Sequence, residues 1–220
     1  MTQTAESLFY FDKRLIHSLH ADHKKITLVG IDEAGRGPLA GPVVASAVIL
    51  NPDFFDPQLN DSKKVSPPVR QKVFEKLVKN SFWSIGTSSV TTIDSKNILQ
   101  ATYDAMRSAL NNLVRQNPQI KPDLVIIDGR AVPDMGFLQK SIIKGDQKSA
   151  AIASASIIAK VWRDRMMMAL DRFYPQYGFS QHKGYGTKLH QKNLSEFGPS
   201  PHHRRSFAPV RKQLIFSETD

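Results

Sequence analysis

An α/β fold with a mixed sheet flanked by helices is predicted by three observations. Short Val- and Ile-rich runs recur at 26–33, 42–50, 82–90 and 123–128, with the length and composition of buried strands. Two long stretches, Thr92 to Gln116 and 147–172, carry apolar residues at mostly helical spacing. The runs are ordered as three strands followed by helix, strand and helix, which a mixed sheet accommodates. With 220 residues and 40% hydrophobic composition, the chain can bury a real core yet is short enough for one compact unit.

Leu8, Phe11, Leu15 and Leu19 lie three and four apart, predicting an amphipathic helix within 4–22. His17, His20 and His23 share that neighbourhood; lacking acidic or thiolate partners, they read as solvated side chains, with zinc ligation the alternative. The strands at 26–33 and 42–50 are followed by a Pro/Asp loop from Asn51 to Asp61. Ser66 reads as an N-cap with Pro67 at the first helical position, starting a short helix to about Lys79, and 82–90 returns to a strand. The helix from Thr92 to Gln116 carries Ile93, Ile98, Leu99, Met106, Leu110 and Leu113, and Asn117-Pro118 ends it.

After the strand at 123–128, a short extended piece near 141–143 leads to Asp146. The Ala/Ile/Met-rich segment 147–172 contains no breaker and forms the second long helix, with Met166, Met167 and Met168 as core filler and Asp164 as ion-pair partner of Arg163 and Arg165. Beyond Tyr174, Gly, His and Pro dominate, with a short helix near 187–197 and then an irregular tail. The expected organisation is an N-terminal helical extension (1–25), a core (26–172) and a C-terminal helical and loop segment (173–220), with no internal repeat.

The absence of cysteine excludes disulfides and thiolate zinc sites. Glu6, Asp12, Lys13 and Arg14 break any secretory apolar region, and no later apolar run is long enough to span a bilayer, so a cytoplasmic protein, taken as a monomer, is expected. The net charge of +10 is unevenly placed. Residues 1–139 carry 16 Lys/Arg against 14 Asp/Glu, whereas 140–215 carry 14 against 4. That asymmetry marks a polyanion-binding face; an anionic membrane fits less well, because the basic third has no strongly amphipathic Trp/Leu-rich helix.

The segment Leu28-Val29-Gly30-Ile31-Asp32-Glu33-Ala34-Gly35-Arg36-Gly37-Pro38 ends an apolar run on two adjacent carboxylates. Burying two acids together is costly unless a cation neutralises them. The pair could instead open a surface turn, but Val125-Ile126-Ile127-Asp128-Gly129 is a second apolar run ending in an acid, and Lys144-Gly145-Asp146 places a third before a helix. Asp32, Glu33, Asp128 and Asp146 thus come from three segments, and hard oxygen ligands favour Mg²⁺ or Mn²⁺ over zinc. Ions roughly 3.5–4 Å apart on such carboxylates support phosphodiester hydrolysis. Gly35-Arg36-Gly37-Pro38-Leu39-Ala40 formally meets a dinucleotide-binding pattern, yet the β-branched run from Val43 to Ile49 predicts a strand where that pattern needs a helix. The glycines are better suited to close approach of some other ligand.

These runs, together with Asn60-Asp61-Ser62-Lys63-Lys64, Asn97-Ile98-Leu99-Gln100-Ala101-Thr102, Ala155-Ser156-Ile157-Ile158-Ala159-Lys160 and His182-Lys183-Gly184-Tyr185-Gly186-Thr187, occur in the order found in the ribonuclease HII family, which the chain resembles from about 26 to 210. The resemblance implies an RNase H-like fold, cleavage of RNA in RNA–DNA hybrids, and incision 5′ of a lone ribonucleotide in duplex DNA, leaving a 3′-hydroxyl and a 5′-phosphate. Asp32, Glu33, Asp128 and Asp146 match the family's catalytic, metal-binding acids, and Tyr185 matches its sugar-packing tyrosine. Backbone groups of Gly35, Arg36 and Gly37 are expected to reach the 2′-hydroxyl that separates RNA from DNA. Lys63 and Lys64 are placed against phosphate, Lys160 near the site, and His202-His203-Arg204-Arg205 in a phosphate-contacting or disordered tail. Gln213-Leu214-Ile215-Phe216 resembles a truncated sliding-clamp peptide, with a packed helix or strand edge as the alternative. The competing functions are a non-catalytic nucleic-acid-binding module and another RNase H-like phosphotransferase, such as a resolvase or transposase core.

Overall fold

The strands β1 (Leu28–Ala34), β2 (Val43–Leu50), β3 (Ser81–Ser88), β4 (Leu124–Asp128) and β5 (Gln139–Ile142) form one sheet in a computed structural model that describes residues 4–19 and 26–217, with side chains as far as Leu214. Their order is β3-β2-β1-β4-β5. The first three strands pair antiparallel, while β1 with β4 and β4 with β5 are parallel, so the sheet is mixed as expected.

Helices cover both faces: α1 (Ala5–Ser18), α2 (Pro67–Leu77), α3 (Val90–Lys96), α4 (Ile98–Gln116) and α5 (Ala150–Asp171), followed by α6 (Phe179–His182), α7 (Lys188–Phe197) and α8 (Ala208–Ser217). Strand alternation decides which residue meets which helix. Val29, Ile31, Val125 and Ile127 share a buried cluster with the α4 residues Met106, Leu110 and Leu113. Leu28, Leu124 and Ile126 point the other way and pack with Ala151 and Ile152 at the start of α5. Gly30 lies on this second face, where a Cβ would sit 2.3 Å from the Ala151 carbonyl carbon, so strand and helix touch backbone to backbone. The same alternation carries Asp32 and Asp128 onto the α5 face, one register step beyond the Ile31–Ile127 pair.

Several expectations need correction. The helix predicted from Thr92 to Gln116 is two helices, broken at Asn97, whose φ of 76° no helix interior accepts and whose side chain caps the N–H groups of Leu99 and Gln100. Ser66 occupies the N-cap position of α2 but makes no side-chain cap bond. Of the three methionines only Met167 is buried; Met168 is 52% exposed. Asp164 pairs with Lys160 at 2.7 Å, one helical turn away, and with neither flanking arginine. The tail is not irregular, since α8 runs through 213–216 and leaves Gln213 and Leu214 half-buried on a helix; the side chains of Ile215 and Phe216 lie outside the described residues. Among the predicted histidines, His17 is exposed on α1, and His20 and His23 fall outside the described residues.

Candidate active site

The parallel pairing of β1 and β4 delivers Asp32 and Asp128 to the same strand end. Asp146 arrives on the tight turn Gly145–Gln147 that precedes α5, and the Gly145 N–H donates to Asp128 Oδ1 at 2.6 Å. Carboxylate oxygens of Asp32, Asp128 and Asp146 all lie within 4.8 Å of one another. Glu33, next along the strand, lies outside this group but interacts with both Asp32 and Asp128, and it accepts from Arg36 Nη1 at 3.4 Å.

Burial pushes the Asp32 carboxyl well above its usual range, and the charges of Glu33 and Asp128 push it further. A hydrogen bond from Ser156, whose Oγ lies 2.9 Å from Ser62 Oγ, works in the opposite direction. Glu33 is also raised by burial, with Arg36 opposing. Asp146 rises to about 6 through burial and the charges of Asp61 and Asp128. Asp61, buried and missed as a site residue, binds the Lys63 N–H at 2.9 Å and Gln147 Nε2 at 3.2 Å. Burial works against the Lys63 ammonium, but Asp61, Asp146, Asp32 and Asp128 together outweigh it and raise its pKa, so Lys63 faces the cluster. The buried Asp32 and Asp146, both with raised proton affinity, and the half-buried Asp128 form an oxygen-only donor set suited to a hard divalent cation, with the Lys63 ammonium beside it. Lys64 is exposed, with its N–H closing the turn onto the Asp61 carbonyl.

The Gly35–Gly37 turn follows the acids directly and is held from behind by two buried arginines. Arg204 donates to the carbonyls of Gly35, Arg36 and Gly41, and Arg163 to those of Ala40, Pro42 and Lys183. Gly35, at φ +98°, is a glycine for the sake of Arg163, because a Cβ there would lie 2.1 Å from its Nε. Only Gly37 keeps its open side toward Tyr185, whose Cε1 would be 3.9 Å from an added Cβ. The Tyr185 ring is 43% exposed, and Lys160 Nζ sits 5.8 Å from its centroid. His203 and Arg204 therefore belong to a buried frame and not to a phosphate-contacting or disordered tail. Burial brings the Arg163 guanidinium down to about 10, and burial with the neighbouring Arg163 charge brings Arg204 down to about 9, so both remain cationic at neutral pH.

A histidine relay fixes the Tyr185 loop. The Ser200 N–H donates to His203 Nδ1 at 3.0 Å, which leaves the His203 proton on Nε2; this Nε2 donates to His190 Nε2 at 2.9 Å, and His190 Nδ1 donates to the Tyr185 carbonyl at 2.9 Å. His182 stacks on His190 with centroids 4.3 Å apart. Burial holds His190 and His203 down at about 4 and about 3, so the relay is neutral at physiological pH.

A mixed sheet in this order, with clustered acids where two parallel strands end, defines a class of enzyme: the chain is a type 2 ribonuclease H, an endoribonuclease. The family model described as Ribonuclease HII matches residues 29–210, and the chain belongs to the ribonuclease HII family. It is 48% identical over 192 residues to a ribonuclease HII of Coxiella burnetii (strain Dugway 5J108-111), spanning 87% of this chain and 93% of that one. It is 47% identical over 208 residues to a ribonuclease HII of Chlamydia pneumoniae, spanning 94% and 92%. The crystal structure of ribonuclease H2 from Pyrococcus horikoshii OT3 superposes with a TM-score of 0.72 at 25% identity, covering 89% of this chain and all of that one. Two further structures share the fold alone. One is a PCNA:RNase HII complex from Archaeoglobus fulgidus (TM-score 0.62, 24% identity, 78% and 88% covered), the other Bst-RNase HIII in complex with Mn²⁺ (TM-score 0.67, 16% identity, 91% and 76% covered). No helix among the described residues is long and apolar enough to cross a membrane.

Proposed function

We propose that the chain hydrolyses the RNA strand of RNA–DNA hybrids and incises 5′ of single ribonucleotides embedded in duplex DNA, by two-metal-ion hydrolysis that leaves a 3′-hydroxyl and a 5′-phosphate. The observation that carries this reading is the juxtaposition of three clustered acids with the glycine turn that follows them and faces Tyr185. Asp32, Asp128 and Asp146, with Glu33 beside them, would hold Mn²⁺ or Mg²⁺; the Mn²⁺ in Bst-RNase HIII supports a divalent ion of this kind. When bound, such ions lower the pKa of an attacking water and stabilise the leaving oxygen.

The remaining work falls to the chain's own groups. Gly35, Arg36 and Gly37 present backbone to the ribose, Tyr185 packs against the sugar, and a substrate lacking the 2′-hydroxyl leaves polar groups there unpaired. Lys63 brings its charge to the acids and the incoming phosphate, and Lys160, between Asp164 and the Tyr185 ring, steadies that ring. The basic excess in 140–215 supplies a backbone-tracking field. Clamp contact through 213–216 has one support, the PCNA complex of the Archaeoglobus relative; Gln213 and Leu214 are helical here, so an extended clamp peptide would require α8 to unwind.

Cleavage of a duplex carrying one ribonucleotide, compared with a continuous hybrid and an all-DNA duplex in Mn²⁺ and in Mg²⁺, tests the proposal. Metal-dependent incision of both RNA-containing substrates and none of DNA is expected. Binding of all three without cleavage would favour the non-catalytic module. Cleavage of the all-DNA duplex would favour another phosphotransferase of this fold.

A further inference from the structure

The residues N-terminal to the matched region carry no assigned role, yet one of them reaches the catalytic helix. Asp12 of α1 is buried, and its Oδ2 accepts the Ala151 N–H at 2.8 Å. Its carboxyl also lies near the Ser149 side chain and the Ala150 backbone, but its Oδ1 is buried with no hydrogen-bond partner among the described residues, so this side chain from another helix satisfies one free donor of the α5 N-terminus, the Ala151 N–H. The Ser149 hydroxyl already caps Ile152 within the helix, and Asp12 adds a second acceptor across the interface.

A hydrogen-bonded path connects this point to the acids. The Ser149 N–H donates to the Gly145 carbonyl at 2.9 Å, and the Gly145 N–H donates to Asp128 Oδ1 at 2.6 Å, with Asp146 as the next residue. The turn packs closely on α5, since a Cβ on Gly145 would lie 2.6 Å from Ile152 Cδ1. One turn further along α5, Ser156 bonds Asp32. The start of α5 thereby sets the positions of all three clustered acids. Leu8, also on α1, packs with Ala150, Ala153 and Ile157, so the helix has an apolar footing as well as the polar latch.

We propose that Asp12 is a positioning residue for the metal site: it latches α1 onto the N-terminus of α5 and so fixes the turn that carries Asp146 and orients Asp128. This rests on the reading of the acids as metal ligands. Removing the acceptor frees the first turn of α5 and loosens the cluster, weakening metal binding before it touches chemistry.

The test measures Mn²⁺ dissociation constants of the full chain by calorimetric titration, beside melting temperature and cleavage at saturating Mn²⁺. Asp12→Ala should weaken Mn²⁺ binding at least about threefold, short of the roughly tenfold minimum for groups bonded directly to a ligand, with cleavage largely recovered at high metal. Asp12→Asn keeps an acceptor oxygen and should stay within about twofold of the parent, as hydrogen-bond replacement requires. Leu8→Ala removes packing but leaves the latch, so it should lower the melting temperature without a matching change in Mn²⁺ affinity. If Asp12→Ala does not fold, Asp12→Val fills the same space without accepting a hydrogen bond and takes its place. Parent-like Mn²⁺ affinity in the Ala or Val variant, or weakening by Leu8→Ala equal to theirs, overturns the latch. Failure of the parent itself to bind Mn²⁺ overturns the metal reading and the latch together, an outcome distinct from the other two.

Discussion

The Arg204 Nη1 donates to the Arg36 carbonyl at 2.8 Å, across 168 residues of sequence. A buried cation therefore spends its donors on backbone oxygens of the turn proposed to read ribose, and has no carboxylate among them. Arg204→Ala should cost about 2–4 kcal/mol in chemical denaturation, because several buried carbonyls lose their partner. Arg204→Lys should recover little, since one ammonium cannot span the fork. In both variants cleavage of the single-ribonucleotide duplex should fall further than Mn²⁺ affinity; parent-like cleavage in Arg204→Ala would remove the frame role.

Asp32→Asn and Asp128→Asn are expected to lose nearly all cleavage while still binding duplex, because an amide keeps the shape without the charge a divalent ion needs. The same changes relieve like-charge repulsion, so without metal each variant should be more stable than the parent, and with Mn²⁺ less. Thermal denaturation with and without Mn²⁺ reads this inversion directly. A variant destabilised equally in both conditions would deny the cluster its electrostatic character.

The buried acids should make the metal-free protein less stable as pH rises, while His182, His190, His202 and His203, whose pKa values burial lowers, act in the opposite sense. Folding raises Asp146 from 3.8 to about 6 and Asp12 from 3.8 to about 7, and raises Asp32 and Glu33 as well. Between the unfolded and folded pKa values of these acids the folded state binds more protons, so the stability they contribute is greatest near pH 4 and is lost progressively toward pH 7. For Asp12 alone the loss is on the order of 4 kcal/mol. Asp12→Asn should flatten the upper part of this dependence, and Mn²⁺ should reverse the part due to the cluster. A stability difference between the parent and Asp12→Asn that does not fall from pH 4 to 7 would contradict the Asp12 shift.

The His190 bond to the Tyr185 carbonyl predicts a graded result. His190→Asn retains a donor near the Nδ1 position, whereas His190→Ala retains none. The Ala variant should lose about 10- to 100-fold in kcat/KM on the single-ribonucleotide duplex, as expected when a contacting group drifts by an ångström, and the Asn variant should recover part of it. Tyr185→Phe should keep more activity than Tyr185→Ala on that substrate, since it keeps the packing surface. Equal, near-parent rates for Tyr185→Ala would reduce the tyrosine to a turn plug.

What could be read in the sequence followed the range over which each interaction acts. β1, β2 and α5 are visible because alternation and helical spacing are local, and the acids stand out because each ends an apolar run. The break at Asn97 was hidden: no Gly or Pro marks it, and Ile93, Ile98 and Leu99 keep a nearly helical rhythm across it. Arg163, Arg204 and His190 were hidden for another reason. The arginines' partners are backbone carbonyls on distant segments, which leave no complementary side chain to notice, and the His190 ring meets the Tyr185 carbonyl and the His203 ring only in the folded loop. Asp61 lay inside a quoted motif, but its burial beside Asp146 depends on the fold. The Lys160–Asp164 pair is legible from the four-residue spacing rule, although two arginines flank Asp164 directly in sequence.

The separation of Asp32, Asp128 and Arg204 along the chain orders events during synthesis. Parallel pairing of β1 with β4 closes a loop of almost one hundred residues, and contacts of that span form late in folding. The carbonyls of Gly35 and Arg36 await a guanidinium translated long after them. A growing chain therefore carries its acids well before it can hold the turn beside them. The turn beside the acids is completed only after Arg204 has been made and has folded back onto it.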